Sequence, residues 1–322
     1  MPKTRDAFAI AAPSVFNGET TLRDHCVLIR GSYIESVAPV DQCPADIPLQ
    51  RFEAGTLAPG FVDLQVNGGG DILFNNTPDA GSVVTMHTAH RSRGTTALLP
   101  TLISDTREVR EKALAAVIEA RAWGCAGILG IHFEGPWFSW ARRGAHNEDM
   151  LDTPSETDMD WLCSSRDFPV MVTLAPEQVA PEFIARLAAA GVHVCAGHTD
   201  ADYETIAAAA DNGLQGVTHL YNAMSQLASR QPGAVGAALA LDTLWAGIIA
   251  DGHHVHPASI RLAAKAKPPG KLVLVSDAMA TVGGVGSFDI YGENIREQDG
   301  RLVNAEGVLA GSAIGLVDAV RY

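Results

Sequence analysis

From Ala58 onward the chain repeats one pattern: a short apolar run, a loop, then a stretch with apolar residues at helical spacing. The runs FVDLQV, TTALLP, GILGIHF, VMVTLA, VHVCAG, QGVTHL, WAGIIA and KLVLVS are rich in β-branched or otherwise apolar residues, as strands buried on both faces are. Between them, REVREKALAAVIEARAW, PEFIARLAAAG and DYETIAAAADNG carry the helical period, and Gly191 and Gly213 are placed to stop two of these helices. Strand and helix in alternation predict an α/β fold with parallel strands. Periodicity alone leaves a doubly wound open sheet as the alternative. Candidate chemistry spread over at least five strand ends favours closure into a TIM-like (β/α)8 barrel, because an open sheet gathers its site at one crevice.

The opening of the chain reads differently. Residues 1–57 hold alternating runs such as HCVLIRGSYIESVAPV, with Gly31 at a turn, which predicts hairpin strands in a small β-rich, sandwich-like domain. Residues 58–322 are then the barrel, with FDIYGENIREQDGRLVNAEGVL read as a β-hairpin inserted at about 286–310. Tyr322 falls inside the expected last helix, so that helix is expected to be incomplete and the C-terminal part truncated. An open edge in the small domain would follow.

Composition narrows the function classes. A chain of 322 residues, 47% apolar, has the size for one large core with a small satellite. A net charge of −14 lacks the clustered Lys and Arg that nucleic acid or an anionic membrane surface requires, so neither is expected as a partner. The five cysteines, Cys26, Cys43, Cys125, Cys163 and Cys195, are odd in number, scattered and never arranged as CxxC. They suggest neither a disulfide framework nor a thiolate zinc site, and a reducing cytoplasm fits them. The N-terminus MPKTRDAFAI lacks a basic region followed by an apolar segment, and no later run reaches about 18 uninterrupted apolar residues, so no export and no membrane span are expected.

The candidate chemistry sits where the apolar runs end. Glu134 closes GILGIHFE, His198 closes VHVCAGH, His219 closes QGVTH and Asp277 closes LVLVSD, while FVDLQVNG carries Gln65 and Asn67. Side chains at the ends of barrel strands converge on one face, so distant residues can share one ion. Glu134, His198 and His219 match the about three His and carboxylate ligands of a catalytic zinc site with an open position. Each alone reads as a hydrogen-bonded strand-end residue; the three together read as a metal site. Asp277 suits a general base better than a further ligand, since a carboxylate beside activated water can take its proton and return it to a leaving amine. Alone, it would read as a cap in the SDAMAT loop.

The strings PGFVDLQVNGGGD, HFEGPW, RRGAHN, LAPE, GHTDADY, THLYNAMSQL, GIIADGHHV, LVSDAMA and LAGS occur in one order from about Leu57 through Ser312. Together they resemble the N-acetylglucosamine-6-phosphate deacetylases of the amidohydrolase superfamily. HFEGPW and THLYNAM discriminate; PGFVD marks only the superfamily. The resemblance implies hydrolysis of an N-acetyl group on a phosphorylated amino sugar, with one divalent ion per subunit on Glu134, His198 and His219. Zn²⁺ is expected, with Fe²⁺ or Co²⁺ as alternatives. It further implies Asp277 as acid/base and His146 as the group polarising the acetyl carbonyl, where the loop alone would leave His146 an ordinary surface residue.

Substrate contacts implied in the same way fall on Ala145, Asn222, Ala223, Arg230, His254, Leu309, Ala310 and Gly311. Arg230 and His254 are the implied phosphate partners, Arg230 reaching the neighbouring site of a homodimer, although either alone reads as a solvated surface cation. Gln65 and Asn67 stand where many amidohydrolases carry His-x-His; neutral amides are weaker ligands, so one ion is expected, with both amides orienting water or substrate. Two other readings stand beside this one. One is an amidohydrolase of D-aminoacylase-like or cyclic-amide type; the other is a catalytically dead truncated paralogue that binds sugar phosphate.

Overall fold

Eight parallel strands run in sequence order around one centre: β1 (Phe61–Val66), β2 (Thr95–Ile103), β3 (Ile131–Glu134), β4 (Val170–Leu174), β5 (His193–Ala196), β6 (Gly216–Val217), β7 (Trp245–Ile248) and β8 (Leu272–Leu274). A helix follows each: α1 (Ala80–Arg91), α2 (Arg107–Ala122), α3 (Glu156–Leu162), α4 (Pro181–Ala189), α5 (Tyr203–Asp211), α6 (Gly233–Ala240), α7 (Pro257–Ala266) and α8 (Leu316–Arg321). This computed structural model describes residues 7–164, 166–305 and 307–322. The barrel lies in one of two compact units, Phe61–Tyr322; the other is Met1–Gly60. No helix among the described residues is long and apolar enough to cross a membrane.

The smaller unit is all β. A four-stranded sheet orders Tyr33–Pro39, His25–Arg30, Ala7–Ala11 and Leu49–Arg51, and a three-stranded sheet orders Thr21–Arg23, Ser14–Phe16 and Thr56–Leu57. Ala9, Ala11 and Cys26 pack at its core with Leu28, Val40 and Leu49.

In the larger unit, alternate strand residues face outward to the helices. Val170, Val172, Leu174, Val194, Ala196 and Val217 join one continuous apolar core, and Phe133 meets Trp161 of α3 with ring centroids 5.1 Å apart. The inward residues form layers. The lowest is apolar, with Leu99, Met171 and Cys195. Two residues further along their strands comes a polar layer: His132 contacts Thr101 Oγ1 at 3.2 Å and Thr173 Oγ1 at 2.8 Å, and Thr173 meets Thr218 at 2.7 Å. Burial pushes the His132 imidazole down to about 4, so it bridges the threonines as a neutral ring. One layer higher lies the mouth, where Glu134 stands.

Several runs end elsewhere than the pattern predicts, three of them informatively. TTALLP continues as a nine-residue strand to Ile103. QGVTHL contributes only Gly216–Val217 to the ladder, and KLVLVS only Leu272–Leu274. The insert read as a hairpin has a third strand, running Ser287–Ile290, Glu293–Gln298 and Arg301–Val303. At the end of α4, Gly191 takes φ 83°, which lets Val192 N–H reach back to the Leu187 carbonyl at 3.0 Å and stops the helix.

The seam between first and last strands is closed beyond β8. Asp277 N–H donates to Gln65 O at 3.0 Å, and Asn67 and Gly68 N–H donate to Ala278 O at 2.8 and 3.0 Å. Beneath this seam the buried Asp63 Oδ1 accepts N–H bonds from Ser276 (3.2 Å) and Gln65 (3.3 Å), while its Oδ2 meets no protein donor. Burial pushes the Asp63 carboxyl up to about 7, against these hydrogen bonds. The folded chain therefore keeps a proton on Asp63 at pH values where the unfolded carboxyl has lost it. The stability this contributes is present at low pH and is lost as pH rises toward about 7. Denaturant unfolding of wild type and Asp63→Asn at about pH 5 and about pH 8 should show the variant gaining on wild type with rising pH, by on the order of 1 kcal/mol or more. A difference that stays constant, or moves the other way, contradicts a protonated seam.

Candidate metal centre

Glu134 ends β3, pointing inward above His132. His198 and His219 stand two residues beyond β5 and β6, and Asp277 three residues beyond β8. They do not close their ladders, as the pattern predicts. All three leave the extended conformation, with φ of 49°, 35° and 52°, a left-handed region costly for residues with a Cβ. The chain thus breaks its strand at each position and swings the side chain over the barrel mouth.

Three donors converge there. His219 Nε2 lies 3.0 Å from Glu134 Oε1 and 3.0 Å from His198 Nε2, and His198 Nε2 lies 3.3 Å from the same carboxylate oxygen. Their ligand atoms all lie within 4.8 Å of one another, and all three residues are buried. His198 Nδ1 is 3.0 Å from the Arg142 carbonyl, which only accepts, so Nδ1 carries the proton and Nε2 is free to ligate. Gln65 Nε2 spans both Glu134 oxygens and Asp277 Oδ1, each at 3.0 Å. A carboxylate and two imidazole nitrogens this close, out of water, need a proton or a shared cation among them: burial lowers the His219 imidazole, but the hydrogen bond and charge of Glu134 raise it further and favour a proton there until a cation replaces it. The donor set fits a divalent ion of zinc type with a coordination position left open.

The neighbouring groups are tuned by burial. The Asp277 carboxyl, which accepts from Asn67 Nδ2 at 2.7 Å, is pushed up to about 6, first by burial and then by the charge on Glu134. Burial, then His198, holds the His146 imidazole well below its usual range. Ser104 N–H points at His146 Nδ1 at 3.3 Å and Ser104 Oγ lies 2.8 Å from it, so Nδ1 accepts and the ring proton sits on Nε2. Tyr291, on the inserted sheet, donates its hydroxyl to the Ser104 carbonyl.

The three convergent donors, Asp277 and His146 line a cavity of about 330 Å³. Besides Glu134, His198, His219, Asp277 and His146, it brings together Asn67, Ala145, Asn222, Ala223 and His254, with Leu309, Ala310 and Gly311 along one wall. Gly311 takes φ 64°, and a Cβ there would lie 2.5 Å from Met279 Cγ, so that wall admits no side chain. Gln65 lies beneath, tying Glu134 to Asp277. Arg230 stands apart, exposed and outside the cavity lining.

Sequence reasoning missed Ser104, Met279 and Asp251. Ser104 is the first residue beyond β2, but the run TTALLP ends at Pro100, so the strand-end rule points four residues short of it. Met279 lies within the string LVSDAMA, where the chemistry points to Asp277 and not to a thioether.

Comparison with known proteins gives a consistent picture. The amidohydrolase family pattern matches residues 56–287. An N-acetylgalactosamine-6-phosphate deacetylase of Shewanella sp. (strain ANA-3) is 46% identical over 281 residues, which is 86% of this chain and 71% of that one. An N-acetylglucosamine-6-phosphate deacetylase of Haemophilus influenzae is 31% identical over 318 residues, 98% of this chain and 83% of that one. The crystal structure of N-acetylglucosamine-6-phosphate deacetylase from Pasteurella multocida is similar with a TM-score of 0.94 at 32% identity, over 98% of this chain and 83% of that one.

Metal content separates ligands from neighbours. His198→Ala and His219→Ala should each lose bound divalent metal by elemental analysis after dialysis, whereas Asp277→Asn should keep it. Loss of metal from Asp277→Asn would make Asp277 a ligand, and retention by both histidine variants would remove the site.

Proposed function

The chain belongs to the amidohydrolase family, and on that premise we propose that it hydrolyses the N-acetyl group of N-acetylglucosamine 6-phosphate, giving glucosamine 6-phosphate and acetate in amino-sugar catabolism. It is an amide hydrolase acting on a carbon–nitrogen bond other than a peptide bond. The observation that carries this reading is one cavity in which a carboxylate and two imidazoles converge between a carboxyl pushed up to about 6 and a neutral imidazole.

Glu134, His198 and His219 would hold one divalent ion per subunit, with Zn²⁺ the best match and Fe²⁺ or Co²⁺ the alternatives. Bound there, it would supply Lewis acidity at the acetyl carbonyl and make water more acidic. Asp277 takes the proton of the attacking water on a carboxylate oxygen and later delivers it to the nitrogen of the departing amine. His146, with its proton on Nε2, donates to the carbonyl oxygen as negative charge develops. Asn67 and Gln65 hold the base in place through Asp277 Oδ1.

Asn222, Ala223, Ala145 and the Leu309–Gly311 wall shape the sugar pocket, and His254 meets the phosphate. The exposure of Arg230 suits delivery of its guanidinium to the phosphate of a neighbouring subunit in a homodimer. Five unpaired cysteines fit a cytoplasmic protein. A second reading has a specific support: the relative at 46% identity is an N-acetylgalactosamine-6-phosphate deacetylase, so the galacto epimer is the alternative substrate.

Acetate release measured on both epimers, phosphorylated and unphosphorylated, tests the reading. The 6-phosphates should turn over and Asp277→Asn should lower kcat by on the order of 10² or more. Arg230→Ala should raise KM for the 6-phosphate without a matching change for the unphosphorylated sugar. No acetate from either 6-phosphate would refute the deacetylase; a galacto-over-gluco preference would select the second reading.

A further inference from the structure

Beyond β7 the chain turns through Asp251 to His254, and the two form a buried pair. Asp251 Oδ2 lies 2.6 Å from His254 Nδ1, with the side chains only 2% and 6% exposed. Asp251 Oδ1 accepts the backbone N–H groups of His253 (2.9 Å) and His254 (2.8 Å). Three donors therefore fall on one carboxylate, which burial would raise but which the hydrogen bond and charge of His254 draw down to about 2. Asp251 does not line the cavity; His254 does.

The cavity needs this arrangement if a phosphate monoester is to enter it. It is lined by the carboxylates of Glu134 and Asp277, and the whole chain carries a net charge of −14. The cavity's guanidinium, that of Arg142, is already committed to Asp200 at 2.8 Å. His146 is turned toward Ser104 through Nδ1, and His198 and His219 face Glu134. Among the described residues lining the cavity, His254 is left as the side chain whose ring can turn a donor to a dianion at that wall. With Nδ1 committed to a group that only accepts, Nε2 is the ring atom open to a ligand. Donation from Nε2 to a phosphate oxygen requires the doubly protonated ring, whose charge Asp251 balances.

We propose that Asp251 is a positioning residue for phosphate recognition: it fixes the His254 ring with Nδ1 turned inward, so that Nε2–H meets the dianionic ester of the sugar. The proposal deepens the deacetylase reading and rests on it. It makes the site a selector of ester charge, favouring phosphate over an isosteric sulfate that carries one negative charge.

The test is calorimetry on the metal-loaded enzyme, with glucosamine 6-phosphate and glucosamine 6-sulfate as ligands. Asp251→Asn keeps an oxygen for the two backbone donors but removes the charge. It should weaken phosphate binding about tenfold or more while changing sulfate binding much less. His254→Gln should do the same, and the double variant should be no worse than His254→Gln alone, because one residue acts through the other. Equal losses for both esters, or additive effects in the double variant, would overturn the proposal. If Asp251→Asn does not fold, the ¹⁵N shifts of His254 in the wild type decide: Nε2 should be protonated in the glucosamine 6-phosphate complex, and a bare Nε2 there would overturn it. A wild type that binds neither ester would instead count against the deacetylase reading itself.

Discussion

Three electron-rich groups held together in a dry pocket are the constraint on which this molecule is built. Glu134 and the two Nε2 atoms of His198 and His219 approach within hydrogen-bond distance of one another, where their lone pairs repel unless positive charge lies among them. Everything nearby serves that crowding. Gln65 clamps both oxygens of Glu134, and the Arg142 carbonyl fixes the tautomer of His198. Beneath them a neutral His132, between Thr101 and Thr173, provides a floor without further charge. The barrel is the frame that lets strands far apart in sequence bear this load together.

The site also depends on backbone that departs from regular structure. His198, His219 and Asp277 all adopt left-handed φ, just after their strands stop pairing. Such conformations persist only where the surroundings over-determine them. Here the same break that ends the ladder turns the side chain inward, and at Asp277 its own N–H and that of Asn67 sew the first and last strands together. Closure of the fold and placement of the Asp277 carboxyl are one event.

Much of this was legible in the amino-acid pattern, for physical reasons. Buried parallel strands are mostly apolar, so WAGIIA and VMVTLA announce themselves, and a charged residue ending such a run faces the barrel mouth. The same logic misjudged the ladder ends: QGVTHL looks like six strand residues, yet pairing stops at Val217 because His219 takes a conformation that no propensity scale anticipates. Ser104 and Asp251 stayed hidden for a different reason. Each acts through another side chain, His146 and His254, and a residue whose role is to orient a neighbour leaves no spacing signature until the neighbour's position is known. Arg230 was visible as a lone cation, and it stands exposed, outside the cavity lining.

The account stands on one shared cation. The direct measurement is to strip the protein of metal and titrate Zn²⁺ back while following acetate release from N-acetylglucosamine 6-phosphate. Activity should be absent at the start and rise linearly to a break at one ion per subunit. Full activity in the stripped protein, or a break only at two ions per subunit, would contradict the account.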